Sequence, residues 1–101
     1  MGDYAMQTAR EQRAAESLVS FVYDAGHGWL VVDSQACPEV LQFASKYSFV
    51  GVGQVFLEED DDAPRFIREF GITYALINLD HVELTDAQAD ALRGMPRGEA
   101  N

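Results

Sequence analysis

Lysine and cysteine are nearly missing from this chain of 101 residues: Lys46 is the single lysine and Cys37 the single cysteine. A lone cysteine excludes an intramolecular disulfide and suits a reducing compartment. Basic residues of any kind are scarce, with seven Arg and Lys against seventeen Asp and Glu, for a formal charge of −10. Such a field repels nucleic acid and anionic membrane and favours cations or basic partners, so direct nucleic-acid or membrane binding is not expected. Long apolar runs are missing too, and none approaches the roughly 20 residues of a membrane-spanning helix. The start, MGDYAMQTAREQRAAESL, lacks a basic stretch followed by an apolar one, so no secretory signal is read and the cytoplasm is the expected setting. There is no Walker loop, dinucleotide fingerprint, zinc-ligand spacing or nucleophile elbow. No cofactor is expected.

What the chain does have is hydrophobicity. An apolar fraction of 48% argues for a folded domain rather than disorder, and the length suits one modest core. No repeat or linker interrupts it, so residues 1–101 read as one domain, with 1–7 and 95–101 as flexible ends. Ala14, Leu18, Phe21, Val22 and Ala25 recur at helical spacing, which predicts a helix over 8–25 stopped by Gly26. GWLVVD (28–33) reads as a buried strand. A short helix follows over 36–45, with Ser34 as its cap and Pro38 in its first turn. YSFV and QVFLE flank Gly51-Val52-Gly53 as a hairpin. APRFIREFG reads as a helix, ITYALINL (72–79) as a strand, and TDAQADALRG as a helix opened by a Thr85/Gln88 capping box. The expectation is an α+β fold: a four-stranded, mainly antiparallel sheet in the ferredoxin-like βαββαβ order, helices packed on one face, and further helices at both ends.

The conspicuous polar feature is the run Glu58, Glu59, Asp60, Asp61 and Asp62, placed just before Ala63-Pro64. One of its aspartates is the expected N-cap of the following helix, and the others sit favourably near the helix dipole. A calcium loop needs acids at alternate positions with a central glycine. Here the acids are consecutive and no glycine occurs between Glu58 and Gly71, so no metal site is expected. The remaining role for the run is an acidic docking face for a basic protein.

GHGWL (26–30) is the second feature. His27 lies between glycines that allow close backbone approach, and Trp29 offers a large apolar face with one N–H donor. Asp24 and His81 are potential neighbours of His27, but no motif ties them together. Cys37 is read as a small buried hydrophobe rather than a nucleophile paired with either histidine.

GHGWLVV together with KYSFVGVGQVFLEEDDDAPRF resembles small bacterial proteins of phages, plasmids and other mobile elements. These share a GHGWL strand and a later LEED-D-A segment. The resemblance spans residues 26 to 66 and carries no established activity. It implies that His27, Trp29 and the acidic run form a recurring unit, and it suits an accessory role.

The leading expectation is therefore a non-enzymatic interaction protein whose partner-binding residues are His27, Trp29 and Glu58 to Asp62. The alternative is a small-ligand or cation-binding domain, or an enzyme, with its site at His27, Trp29 and the acidic run. A third reading is a homodimer formed through a strand edge or the first helix. Geometry separates the first two: a site needs His27 and the acids in one concave pocket, whereas a docking face needs them spread over a convex surface.

Overall fold

The computed structural model describes residues 2–100, with side chains from residue 9 onward. Its first helix, α1 (Gly2–Glu16), stops well short of Gly26. The Ser17 hydroxyl donates to the Ala14 carbonyl at 2.5 Å, closing the last turn. The segment LVSFVY then forms a strand, β1 (Leu18–Tyr23). The helix expected over 8–25 is thus two elements. Its apolar spacing suited either state in so short a run, and the β-branched and aromatic content of residues 18–23 decides for strand. Asp24 turns the chain back: its Oδ1 accepts from the backbone N–H of Gly26 at 3.0 Å and of His27 at 2.9 Å. β2 (Gly28–Asp33) follows as expected.

β2 leads into a 3-10 turn over Pro38–Phe43 instead of a full helix over 36–45. Ser34 does not cap it. Asp33 organises this connection, accepting from Gln35 N–H at 2.9 Å and Ala36 N–H at 3.3 Å. The hairpin at Gly51-Val52-Gly53 forms from β3 (Phe49–Val50) and β4 (Gln54–Glu58), with Gly53 in the left-handed region at φ 78°. Helix α2 (Asp62–Phe70) ends at Gly71, also left-handed at φ 65°.

The strand expected over 72–79 is instead a 3-10 turn over Thr73–Asn78. Its inward residues, Ile72, Leu76 and Leu79, are spaced by four and three. Strand alternation would have sent Asn78 inward with Ile72, Tyr74 and Leu76. The last strand is β5 (His81–Glu83), and α3 (Asp86–Arg93) carries the expected capping box between Thr85 and Gln88.

The fold is one α+β domain, but its sheet has five strands, not four, in the order β3-β4-β2-β1-β5. Neighbours are antiparallel except β1 and β5, which run parallel. That order is not ferredoxin-like, because a hairpin strand replaces half of the expected first helix and a 3-10 turn replaces the first crossover helix.

Helices cover both faces rather than one. Leu30 and Val32 of β2 point toward α2, packing with Phe66, Phe70 and Ile72. Trp29 and Val31 point to the opposite face and pack with Phe49 and with Leu92 of α3. β2 is consequently buried on both sides, which explains its continuous apolar run. The C-terminal segment is strapped along β3: Val50 N–H donates to Pro96 at 2.8 Å and Gly98 N–H to Ser48 at 3.0 Å. Of the ends expected to be flexible, Met1 and Asn101 lie outside the described residues.

Candidate functional site

The β2–β4 register places Trp29 directly opposite Glu58. The acidic run therefore begins beside the GHGWL strand, and its five acids then take separate roles. Glu58 turns its carboxylate back onto the chain, accepting from the N–H groups of Asp60, Asp61 and Asp62 at 2.8, 2.6 and 2.7 Å. Its side chain caps α2. An aspartate, Asp61, does occupy the N-cap position as expected, but its side chain makes no capping hydrogen bond, because Glu58 at the preceding strand end already takes the N–H groups of Asp60, Asp61 and Asp62.

Asp62 is fully buried. Its Oδ2 accepts from the Ser45 N–H at 2.8 Å, the Ser45 hydroxyl at 2.6 Å and the Ser48 hydroxyl at 2.6 Å. Arg65 donates to Oδ1 at 3.0 Å. Ser48 in turn accepts from Glu58 N–H at 2.9 Å, which closes the network. Burial pushes the Asp62 carboxyl up, but the hydroxyls of Ser45 and Ser48, the Ser45 N–H and Arg65 together hold it below its ordinary 3.8. Asp61 pairs with Arg65 at 3.3 Å. Within the run, only Glu59 and Asp60 have carboxylates without a hydrogen-bond or ion-pair partner.

These two, with Glu58, border a recess of about 280 Å³ whose other side is His27 and Trp29. Tyr47 and Phe49 continue its apolar lining, and Arg93 and Arg97 close its rim. His27 stacks along Trp29 with ring centroids 6.0 Å apart, and Phe49 lies 6.1 Å from Trp29 at a tilt. The Arg93 guanidinium sits 5.7 Å over Trp29, and that of Arg97 5.1 Å over Phe49. Both arginines have further partners: Arg93 pairs with Asp24, and Arg97 donates to the Lys46 carbonyl at 2.9 Å. The Arg93 hydrogen bond, aided by the Gly26 and His27 N–H groups, holds the Asp24 carboxyl at about 2.

His27, Trp29, Glu58, Glu59 and Asp60 thus meet in one concavity, while Asp61 and Asp62 fall outside it. Tyr47, Phe49, Arg93 and Arg97 were not singled out from the sequence. Tyr47 and Phe49 lie in the quoted KYSF stretch, but no local pattern announced the arginines, which arrive from α3 and the C-terminal strap.

Among the described residues, the candidate pairings of His27, His81 and Cys37 are not formed. Asp24 spends its oxygens on Gly26, His27 N–H and Arg93, so it does not orient the His27 imidazole. His81 lies on β5 at the other side of the sheet end, its ring 5.2 Å from Phe21. Cys37 is buried; burial first, then the Glu39 carboxylate, pushes its thiol above the ordinary 9.0. Oxygens of Glu58, Asp61 and Asp62 lie within 4.8 Å of one another, close enough to suggest a metal cluster. An ion there would compete with the three backbone donors on Glu58 and would stand beside the Arg65 guanidinium bound to Asp62. These acids fit the helix end better than they fit an ion.

No protein-family model matches this chain, and no curated protein or solved structure is significantly similar to it.

Proposed function

We propose that this is a non-enzymatic binding module that docks a basic protein partner by taking a lysine or arginine side chain into the Trp29 recess. The observation that carries the reading is the convergence of His27, Trp29, Glu58, Glu59 and Asp60 on one concave surface. The recess supplies unpaired, exposed carboxylates at Glu59 and Asp60 beside the exposed Tyr47 ring, a combination that attracts a cation; the Trp29 and Phe49 rings are almost fully buried beneath Arg93 and Arg97. Arg93 is neutralised by Asp24, while Arg97 donates only to the neutral Lys46 carbonyl, so one uncompensated arginine faces the three carboxylates of Glu58, Glu59 and Asp60. The overall charge of −10 works in the same direction. The role differs from a broad acidic docking face, since Glu58, Asp61 and Asp62 are engaged at the start of α2 and only part of the run is left to meet a partner. The resemblance of residues 26 to 66 to proteins of mobile elements supports an accessory role of this kind, and the single reduced thiol supports a cytoplasmic setting.

A direct test titrates the ¹⁵N-labelled protein with Nα-acetyl-lysinamide and Nα-acetyl-argininamide, with acetate as the control. The cations should shift the Trp29 indole N–H and the amides of Glu59 and Asp60, and the double variant Glu59→Gln/Asp60→Asn should lose these shifts. Shifts caused by acetate, centred on Arg93 and Arg97, would show an anion site and overturn the reading.

A further inference from the structure

Glu59 also borders a second cavity, of about 290 Å³, on the opposite side of the sheet end. Phe21 and Leu30 of the sheet, Ile67 of α2, and Leu76 and Leu79 of the 3-10 turn form its walls. The core remains open here: Ile67, Leu76 and Leu79 are only partly buried, although they pack against the main cluster. Among the described residues the only ionisable groups lining the cavity are Glu59 and His81; no lysine or arginine lines it. We propose that this cavity is a binding site for a small monocationic amphiphile, an aliphatic or single-ring body carrying an ammonium head.

The size selects against larger ligands, since pockets for small molecules begin at about 300 Å³ and a nucleotide or dinucleotide needs far more. The walls select an apolar body, whose burial is favourable in proportion to its area. Glu59 selects the head group. An anion would lie against an unpaired carboxylate, and a neutral ligand would gain nothing from it, since Glu59 is exposed and keeps its water. An ammonium group gains a charge-assisted hydrogen bond there.

The position of Glu59 is built into the sheet end. Its N–H donates to the Gly28 carbonyl at 3.1 Å. Gly28 has no side chain, and a Cβ there would stand 3.0 Å from Glu59 Oε2 and 2.3 Å from the Phe21 ring. The glycine therefore lets the carboxylate and the aromatic wall approach the same point. This site is separate from the Trp29 recess, apart from the shared Glu59, and its occupation does not depend on a macromolecular partner.

The test uses benzylamine, with benzyl alcohol and benzoate as neutral and anionic analogues, followed by methyl and amide NMR of the full chain. Benzylamine should shift the methyl signals of Leu30, Ile67, Leu76 and Leu79, binding several-fold more tightly than benzyl alcohol, with benzoate weakest. Glu59→Gln should abolish the preference for the amine while leaving the shifted methyls the same. Asp60→Asn, which alters only the Trp29 recess, should change nothing at these methyls. Equal binding of benzylamine and benzyl alcohol, amine shifts centred on Trp29 and Tyr47, or no methyl shifts at the solubility limit would each overturn the proposal. Failure here would leave the lysinamide titration of the Trp29 recess unaffected, so the two readings fail separately.

Discussion

Asp62 shows how much of an acidic run can be structure. A buried carboxylate is costly unless its oxygens are satisfied, and this one accepts four hydrogen bonds from Ser45, Ser48 and Arg65. Removing it by Asp62→Ala leaves the buried Ser48 hydroxyl and the half-buried Ser45 donors unmatched while Arg65 keeps Asp61, and the expected loss is on the order of 3 kcal/mol in urea unfolding. Asp60→Ala, at an exposed carboxylate without a partner, should be nearly neutral in the same assay. Equal effects of the two would refute the division of roles within the run. The same carboxyl sets a pH dependence. Its folded-state value is depressed below the ordinary 3.8, so the unfolded chain binds the proton more readily and the stabilisation is complete above that value. It is lost as pH falls through the lower folded value. Unfolding midpoints should drop steeply on acidification below the ordinary carboxylate range, and Asp62→Ala should flatten that dependence.

At the scale of elements, the sequence was legible where local chemistry and long-range packing agree. β2, the β3–β4 hairpin, α2 and α3 carry their own signals in a continuous apolar run, a Gly-Val-Gly turn, a left-handed Gly71 and a capping box. It misled where apolar spacing served two periods: residues 18–23 could line a helix or a strand, and Ile72, Leu76 and Leu79 belong to a 3-10 turn despite the β-rich segment around them. Half of the recess was visible as GHGWL and the acidic run. The other half was not, because Arg93 and Arg97 are brought by the packing of α3 and the C-terminal strap, which no local motif encodes. The strap depends on Gly98, where a Cβ would stand 2.0 Å from the Ala44 carbonyl oxygen. Gly98→Ala should therefore release residues 96–100 from β3. Amide exchange at Val50, Gly98 and Ala100, whose N–H donates to the Ala44 carbonyl at 2.9 Å, should accelerate while β1 and β2 remain protected; unchanged protection at Val50 would contradict this account of the strap.

For the whole molecule the governing quantity is charge. A net −10 on one small domain disfavours contact between copies and raises the local concentration of cations. Exposed charges act over a Debye length of about 8 Å at physiological salt, so Glu59 and Asp60 should both guide a basic partner inward and, as the direct partners of its cation in the recess, slow its release. The chain's one tryptophan lines the recess, which gives this claim an intrinsic reporter. The deciding measurement is stopped-flow fluorescence of Trp29 on mixing with a lysine-rich peptide across a salt series, for the native chain and Glu59→Gln/Asp60→Asn. The account predicts a Trp29 signal whose association rate falls as salt rises and, in the double variant, several-fold slower association at low salt together with faster dissociation. A Trp29 signal insensitive to salt, rates unchanged in the double variant, or no signal with a basic peptide would contradict it.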